Sequence, residues 1–467
     1  MNLRKFGLIT LIASMGTAAF GASIDHIQNY TAEYNANMAQ QGAISATTSV
    51  YYNPAGLMRL KNGTYFTGGV QLAIGEETMK YDVNTYGTSN KYDADLLAPI
   101  PNFALFKKDD NRAYFWTFGG IAGGGDLKYE DGFAGLKVLE DVVPGLTSAM
   151  GPSNTMYAKD NGSWAEGENM YAQTTLGMAW NVNSKLSLSA AGRVVYGWRN
   201  LKAHLDAKIG NDKDNPNIPI TADIDSERTA WGFGGQFGLN YAYDDTWNFA
   251  MRYDTKIKME FEADATEKTV KIPSNITNKY PLLGTLNGLG FSTFFPQYED
   301  GAKYRRDLPA ILALGASQKV TDRWTMFYGL NYYFNESAKI DKDIEYRNFL
   351  TKQLEATGLE YDNGWEISIG TEYWLNEKWA VLGGVNYAKT GAKAESFSDV
   401  EFAIDSTLVG MGVKYRPDED TEWVVSTSHY FYESTDGKFS EKYHGAANNQ
   451  RYDKNISSIG FSYTKKF

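Results

Sequence analysis

Arg193, Arg199, Arg252 and Lys256 stand at even spacings in two segments that alternate apolar with polar residues. In extended backbone an even spacing places side chains on one face, so Arg193 with Arg199, and Arg252 with Lys256, project together. Cations facing a partly dry interior suit a carboxylate, because a charge there is costly unless it is paired. Glu366, Glu372 or an acid from the N-terminal segment would serve the same cations as internal ion pairs. Catalytic chemistry finds no comparable arrangement. His26, His204, His429 and His444 have no ligand spacing, and neither GxSxG nor HExxH occurs. The glycine-rich runs lack the Lys-Ser/Thr of a phosphate loop, and the absence of cysteine excludes disulfides and thiolate metal sites. The expectation is a protein that is not an enzyme and carries no cofactor and no metal.

The elements that position these residues are strands. Beyond the first residues there is no run of about 18 apolar residues, so any membrane crossing must use strands rather than helices. Alternating segments begin near Thr64, Pro101, Ala113, Met170, Lys185, Thr229, Thr246, Leu308, Arg323, Trp365, Lys378, Ser406, Glu422 and Asn455. In the clearest, Trp324, Met326, Tyr328, Leu330, Tyr332 and Phe334 share one face, opposite Thr325, Gly329 and Asn331. Short turns such as Asp244-Asp245, Thr321-Asp322 and Asn376-Glu377 alternate with long polar stretches, the asymmetry of an outer-membrane barrel. Ile459, Phe461, Tyr463 and Phe467 put aromatic residues in register at the C-terminus, a feature suited to the barrel-assembly machinery and to closure against the first strand. Mean hydropathy of −0.43 and 14% aromatic residues fit a wet lumen with ringed girdles.

Arg4 and Lys5, the apolar stretch from Phe6 to Ala13, and small residues at Ala19 and Gly21 read as a secretory signal over residues 1–21. Its removal takes two positive charges away, so the net charge of −11 becomes −13, which argues against a nucleic-acid partner. The expected class is all-β: a transmembrane antiparallel barrel of about fourteen strands over 63–467.

Small residues at Ala39, Gly42 and Ala43 precede Tyr52-Asn53-Pro54-Ala55-Gly56-Leu57. This box resembles the N-terminal hatch of the long-chain fatty acid transporter (FadL) family, which implies that residues 22–62 form a hatch inside the lumen. Trp231-Gly232-Phe233-Gly234-Gly235-Gln236 with Asn248-Phe249-Ala250-Met251-Arg252-Tyr253 is similar to the family's central hairpin. Asp307-Leu308-Pro309, Leu314-Gly315 and Asp322-Arg323-Trp324 are similar to its "LP…LG…D.W" pair. Together these cover essentially the whole mature chain. The resemblance implies a monomeric, fourteen-stranded, hatch-plugged barrel in the outer membrane that passes hydrophobic small molecules without energy input. Fatty acids and small aromatic hydrocarbons are both implied ligands, with the outer-membrane lipid as the destination.

The resemblance also implies an external groove, a lumen pocket that holds a carboxylate on basic residues, and sideways exit through a kinked third strand. For the groove, Leu282, Leu283, Leu286, Leu289, Phe291, Phe294 and Phe295 are more apolar than a surface loop should be, as are Leu136 and Val142 in a second loop. These two segments would alternatively pack on each other to cap the barrel. For the exit, Gly119, Gly120, Gly123, Gly124 and Gly125 crowd the third strand and favour a bulge; a loop rim, or close approach of the hatch, would use them equally. A general porin for polar solutes, and an adhesin that works through its long loops, are the rival readings.

Overall fold

Alternating strands joined by short turns can satisfy every backbone group in lipid only if the sheet closes on itself. In the computed structural model it does. The structure describes residues 22–28, 30–81, 91–132, 139–148, 151–294, 296–342, 344–347, 354–397, 401–437 and 450–467. Residues 1–21, expected from the sequence to be a signal, lie outside them.

Fourteen antiparallel strands form the wall. They are β1 (Gly63–Tyr81), β2 (Lys91–Lys108), β3 (Arg112–Tyr129), β4 (Trp164–Asn181), β5 (Leu186–Gly210), β6 (Ile218–Ala242), β7 (Trp247–Asp254, resuming as Glu260–Lys268), β8 (Lys303–Arg305, resuming as Ile311–Lys319), β9 (Trp324–Tyr333), β10 (Gly364–Trp374), β11 (Trp379–Lys389), β12 (Ser406–Asp418), β13 (Thr421–Tyr432) and β14 (Gln450–Lys466). Each pairs with its neighbours, and β14 returns to β1 from Tyr65↔Lys466 to Tyr81↔Gln450. No edge is left open. The C-terminal Phe467 donates its backbone N–H to the Thr64 carbonyl at 2.8 Å, finishing the seam.

Besides β10 and β12, all seven odd-numbered strands start within one residue of expectation. The odd-numbered strands begin at the short-turn end, where Asp and Asn mark the chain reversal. Of the strands entering from the long-loop end, five begin at least five residues earlier than expected, among them β2 at Lys91 rather than Pro101 and β6 at Ile218 rather than Thr229. The reason is physical. Pairing continues beyond the lipid, where the outer face is polar and the apolar alternation that marks a strand disappears.

The outward face is apolar across the waist, with Leu176, Trp231, Phe233, Phe237, Ile367 and Val425 all more than half exposed. Near the short turns, rings pair across strands: Trp379 with Tyr415 at 4.3 Å and Trp423 with Tyr463 at 4.4 Å between centroids. Those pairs form one aromatic girdle. Phe237→Lys would place a charge in the apolar band. It should lower unfolding stability in lipid vesicles by about 2–4 kcal/mol if it lies near the bilayer midplane, read from denaturant midpoints; a change within error would place this face outside the lipid.

The hatch, residues 22–62, fills the lower lumen. Its helices are short, α1 over Ala32–Ala36 and α2 over Ser49–Tyr52, followed by a 3-10 turn over Pro54–Arg59. Thr31 caps α1 by accepting the Tyr34 N–H at 3.1 Å, but a helix of one turn cannot stand by itself. The wall holds it. Asn35 donates to Ser426 at 3.1 Å, Ser462 donates to Glu33 at 2.8 Å, and Gln41 donates to Asn331 at 3.0 Å. Inward-facing glycines admit the hatch backbone: a side chain at Gly315 would overlap Gly42, one at Gly370 or Gly384 would meet Asn37, and one at Gly410 or Gly460 would meet α1. A seat of glycines thus runs across β8, β10, β11, β12 and β14.

Candidate functional site

The inner wall has two zones, and β5 shows both. From the short-turn end its inward residues are Ser187, Ser189 and Arg193, then Val195 and Arg199, then Leu201, Ala203, Leu205, Ala207 and Ile209, all buried. On β14 the same order appears from the other end, with Tyr452 and Ile456 above and Ser458, Ser462 and Thr464 below, interrupted by one buried pair, Lys454 with Glu77 of β1 at 2.6 Å. The upper apolar lining joins the hatch tyrosines and the external loops in one continuous buried cluster. A polar vestibule of about 580 Å³ opens beneath the hatch, lined by Lys414, Glu372, Glu422, Arg416 and the short-turn acids Asp244 and Asp420 among others.

At the boundary between the zones sits a buried charge cluster. Arg306 Nε donates to Asp25 Oδ2 at 2.8 Å, Arg199 Nη1 to Asp25 Oδ1 at 3.3 Å, and the Tyr171 hydroxyl to Asp25 Oδ2 at 2.7 Å. Glu401 meets Arg306 Nη2 at 2.5 Å. Asp25 comes from the hatch and is wholly buried. Its backbone, like that of His26, has positive φ, 52° and 53°, which is uncommon for a side-chain-bearing residue and is held only where surroundings over-determine it. Burial pushes the Asp25 carboxyl up, but the guanidiniums of Arg306 and Arg199, with hydrogen bonds from Arg306 and Tyr171, hold it well below the usual carboxylate range. A depressed value means the pairing contributes stability above the unfolded value of about 3.9 and loses it only as pH falls through the lower folded value. Hatch accessibility to protease should therefore be unchanged from pH 7 to about pH 5; release within that window would show that Asp25 is not held as an anion.

Of the four basic residues singled out by spacing, three face the lumen. Arg193 donates from Nε to Gln173 at 2.9 Å, and Arg252 donates to the Tyr51 carbonyl at 2.7 Å and lies 3.2 Å from Asp254. Lys256 is a correction. The strand breaks between Asp254 and Glu260, the alternation slips, and Ile257 and Met259 turn inward while Lys256 is exposed and donates to the Ser337 carbonyl. Arg306 and Asp25 were missed by spacing. Arg306 lies in the interruption of β8, where Pro309 prevents regular pairing, and Asp25 lies in a segment without periodicity. Their only sequence trace is a doubled arginine before Asp307-Leu308-Pro309 and an acid in an otherwise uncharged stretch.

The glycine-rich segment of β3 does interrupt the wall. Pairing with β2 runs through Asn102↔Gly119, stops, and resumes at Leu97↔Asp126. Opposite, β4 pairs across two bulges, at Ile121 and at Gly124. Gly123 and Gly125 have φ of 109° and 70°, conformations that side chains resist. The hatch touches this place directly, since Gln28 donates its N–H to the Ile121 carbonyl at 2.7 Å and Asn102 donates to the Tyr30 carbonyl at 2.9 Å. Both alternatives foreseen for these glycines, bulge and hatch approach, meet in one structure.

The hatch box behaves as a turn. Asn53 accepts the Gly56 N–H at 3.2 Å and donates to Asn240 at 2.7 Å, Pro54 opens the 3-10 turn, Ser187 donates to the Ala55 carbonyl at 2.8 Å, and Leu57 is fully buried. The external loops depart from an open groove. Leu283, Leu286 and Phe291 are buried with Leu139 and Val143 of the helix Leu139–Ser148, against Leu205, Ile209 and Ile220 of the strand tops, and Leu289 packs partly buried beside them. Leu282 alone of these leucines is exposed. Apolar loops long enough to reach each other bury themselves, so they cap the barrel. Leu136 and Phe295 lie outside the described residues, as do the side chains of Val142 and Phe294.

A closed fourteen-strand wall with an apolar belt, an aromatic girdle and a lumen filled by its own N-terminal segment defines a hatch-plugged outer-membrane β-barrel. The model of the outer membrane protein transport protein family (OMPP1/FadL/TodX) matches residues 145–467, and the chain belongs to that family. Outer membrane protein P1 of Haemophilus influenzae is 22% identical over 450 residues, covering 89% of this chain and 87% of the relative. The long-chain fatty acid transport protein of Escherichia coli K12 is 21% identical over 448 residues, covering 91% of each. Among solved structures, a FadL homologue of Pseudomonas aeruginosa superposes with a TM-score of 0.64 at 15% identity over 98% of this chain and 100% of that one. The toluene transporter TodX of P. putida gives 0.59 at 16% identity over 96% and 99%.

Proposed function

We propose that the protein carries long-chain fatty acids, or hydrophobic carboxylates like them, across the outer membrane by passive uptake. The ligand enters beneath the apolar loop cap, moves down the upper lumen, places its carboxylate at Arg199 and Arg306, and leaves sideways where β2 and β3 part. The change of lining from apolar to polar, with a guanidinium pair at the boundary, carries this reading. An alkyl chain finds apolar contacts above that line and its head group finds cations on it. A ligand carboxylate would replace that of Asp25 on the arginines, which requires the hatch to carry the displaced Asp25 carboxylate to water as it shifts. A general porin has no use for a lumen this full.

A second reading has an observation of its own. The arginine pair is already balanced by Asp25 and Glu401, so a neutral aromatic hydrocarbon could pass without disturbing any charge. Solvent extraction of protein purified in mild detergent, followed by mass spectrometry, separates the readings. A retained fatty acid is expected; a retained neutral hydrocarbon turns the assignment to the second reading. A steady, porin-like conductance of the intact protein in planar bilayers would sink both.

A further inference from the structure

Glu366 lies on the inward face of β10, 2% exposed, and among the described residues no lysine, arginine or histidine pairs with it. The buried cations named above have partners of their own: Arg199 and Arg306 pair with Asp25, Arg252 with Asp254, and Lys414 with Glu372. One Glu366 oxygen accepts Asn331 Nδ2 at 3.0 Å, and the other accepts the backbone nitrogen of Ala22 at 2.9 Å. A buried carboxylate served only by neutral donors is expensive. The cation that would balance it is one that an intact peptide bond hides.

We infer that the α-ammonium group of Ala22, released when residues 1–21 are removed, is the counter-ion of Glu366. The inference rests on the reading of residues 1–21 as a cleaved signal. Hydrolysis of the Gly21–Ala22 bond by a signal endopeptidase consumes one water, leaves a carboxylate on Gly21 of the released segment, and leaves an amine on Ala22 that takes up a proton. A single neutral donor thereby becomes a charged group with three N–H bonds, the charge-assisted kind of partner that a buried carboxylate needs.

The seat is specific to one residue. Ala22 is wholly buried in an apolar cluster with Ile27 and Tyr333. Its carbonyl accepts Asn335 Nδ2 at 3.3 Å, and its backbone passes so close to Gly364 that no side chain fits there. A chain beginning one residue earlier would carry its charge away from the Ala22 nitrogen, the one that Glu366 accepts. The cut site thus meters the tail, and three residues on it sets Asp25 between its two arginines. Processing becomes part of assembling the lumen rather than only the disposal of an address.

Two measurements on protein purified from outer membranes test this in sequence. Intact mass and N-terminal sequencing are expected to give a chain starting Ala-Ser-Ile-Asp; any other start overturns the inference and the signal boundary with it. Amine-selective acylation under native conditions, mapped to the N-terminal peptide, is then expected to proceed at least about tenfold more slowly than in unfolded protein, because a buried, paired amine reacts only on opening. Glu366→Gln should keep the same start but lose most of that protection. Should that variant fail to fold, insertion of one glycine before Ala22 leaves the barrel untouched and should abolish protection equally. Acylation of the folded wild type at the unfolded rate, or full protection in the inserted chain, overturns the pairing while leaving the processing site standing.

Discussion

Oxidising a variant that carries Ile100→Cys and Gly120→Cys is expected to cut uptake of a radiolabelled hydrophobic ligand roughly tenfold or more, as expected when a gating element is held shut, with recovery on reduction. A Cβ built at Gly120 lies 4.0 Å from that of Ile100, within the range of about 3.5–4.5 Å that a disulfide spans. The two positions stand at the lower edge of the place where β2 and β3 stop pairing. The chain has no cysteine, so no competing bridge can form. A staple there ties the two strands together and fills space that glycine leaves open. Passage straight down the lumen, through the seated hatch, would be indifferent to it. Uptake that is the same in oxidised and reduced protein would therefore remove the sideways route.

Gly42→Leu should have the opposite effect, opening the protein. The Cβ it adds would sit 2.6 Å from the Cα and N of Ala316 on β8. That neighbour is wall backbone with ladder bonds on both sides, to β7 and β9, and cannot step aside as a side chain would. Overpacking of this kind costs about 1–3 kcal/mol where neighbours relax; here the hatch is the part that can move. The expected result is a steady conductance in planar bilayers, against none expected of the parent, with strand content by circular dichroism unchanged. Unchanged conductance would mean that the hatch is not seated by this contact, or does not seal the lumen.

Legibility in the sequence followed the reach of periodicity. Wherever lipid lies on one side and lumen on the other, as along Trp324 to Tyr332, two-residue alternation is imposed by the solvent, and strands, facing and turns could all be read. Where the chain leaves that setting the signal fails. The polar outer extension of β2 was cut ten residues short at Pro101, and Lys256 was given the wrong face because a break at Asp254 resets the alternation. The hatch has no period at all. Its existence was legible only through the Asn53-Pro54-Ala55-Gly56-Leu57 resemblance, and its key acid, Asp25, not at all. Yet one trace went unused: Gly315, Gly370, Gly384, Gly410 and Gly460 each stand mid-strand, where glycine weakens a sheet, and together they marked where a second backbone comes close.

That row of glycines constrains how the molecule can be made. The glycine seat of the hatch is built by β8 to β14, the last part of the chain to be synthesised, whereas the hatch is the first; β2 to β6 hold it elsewhere, at Asn102, Ile121, Tyr171, Ser187 and Asn240. The N-terminal segment therefore cannot be fully seated until the opposite end of the polypeptide arrives. When it does, α1 lies along β13 and β14 beside the closing seam with β1, so sealing the wall and lodging the hatch are one event. A truncation before Gln450 loses the tenant together with the door.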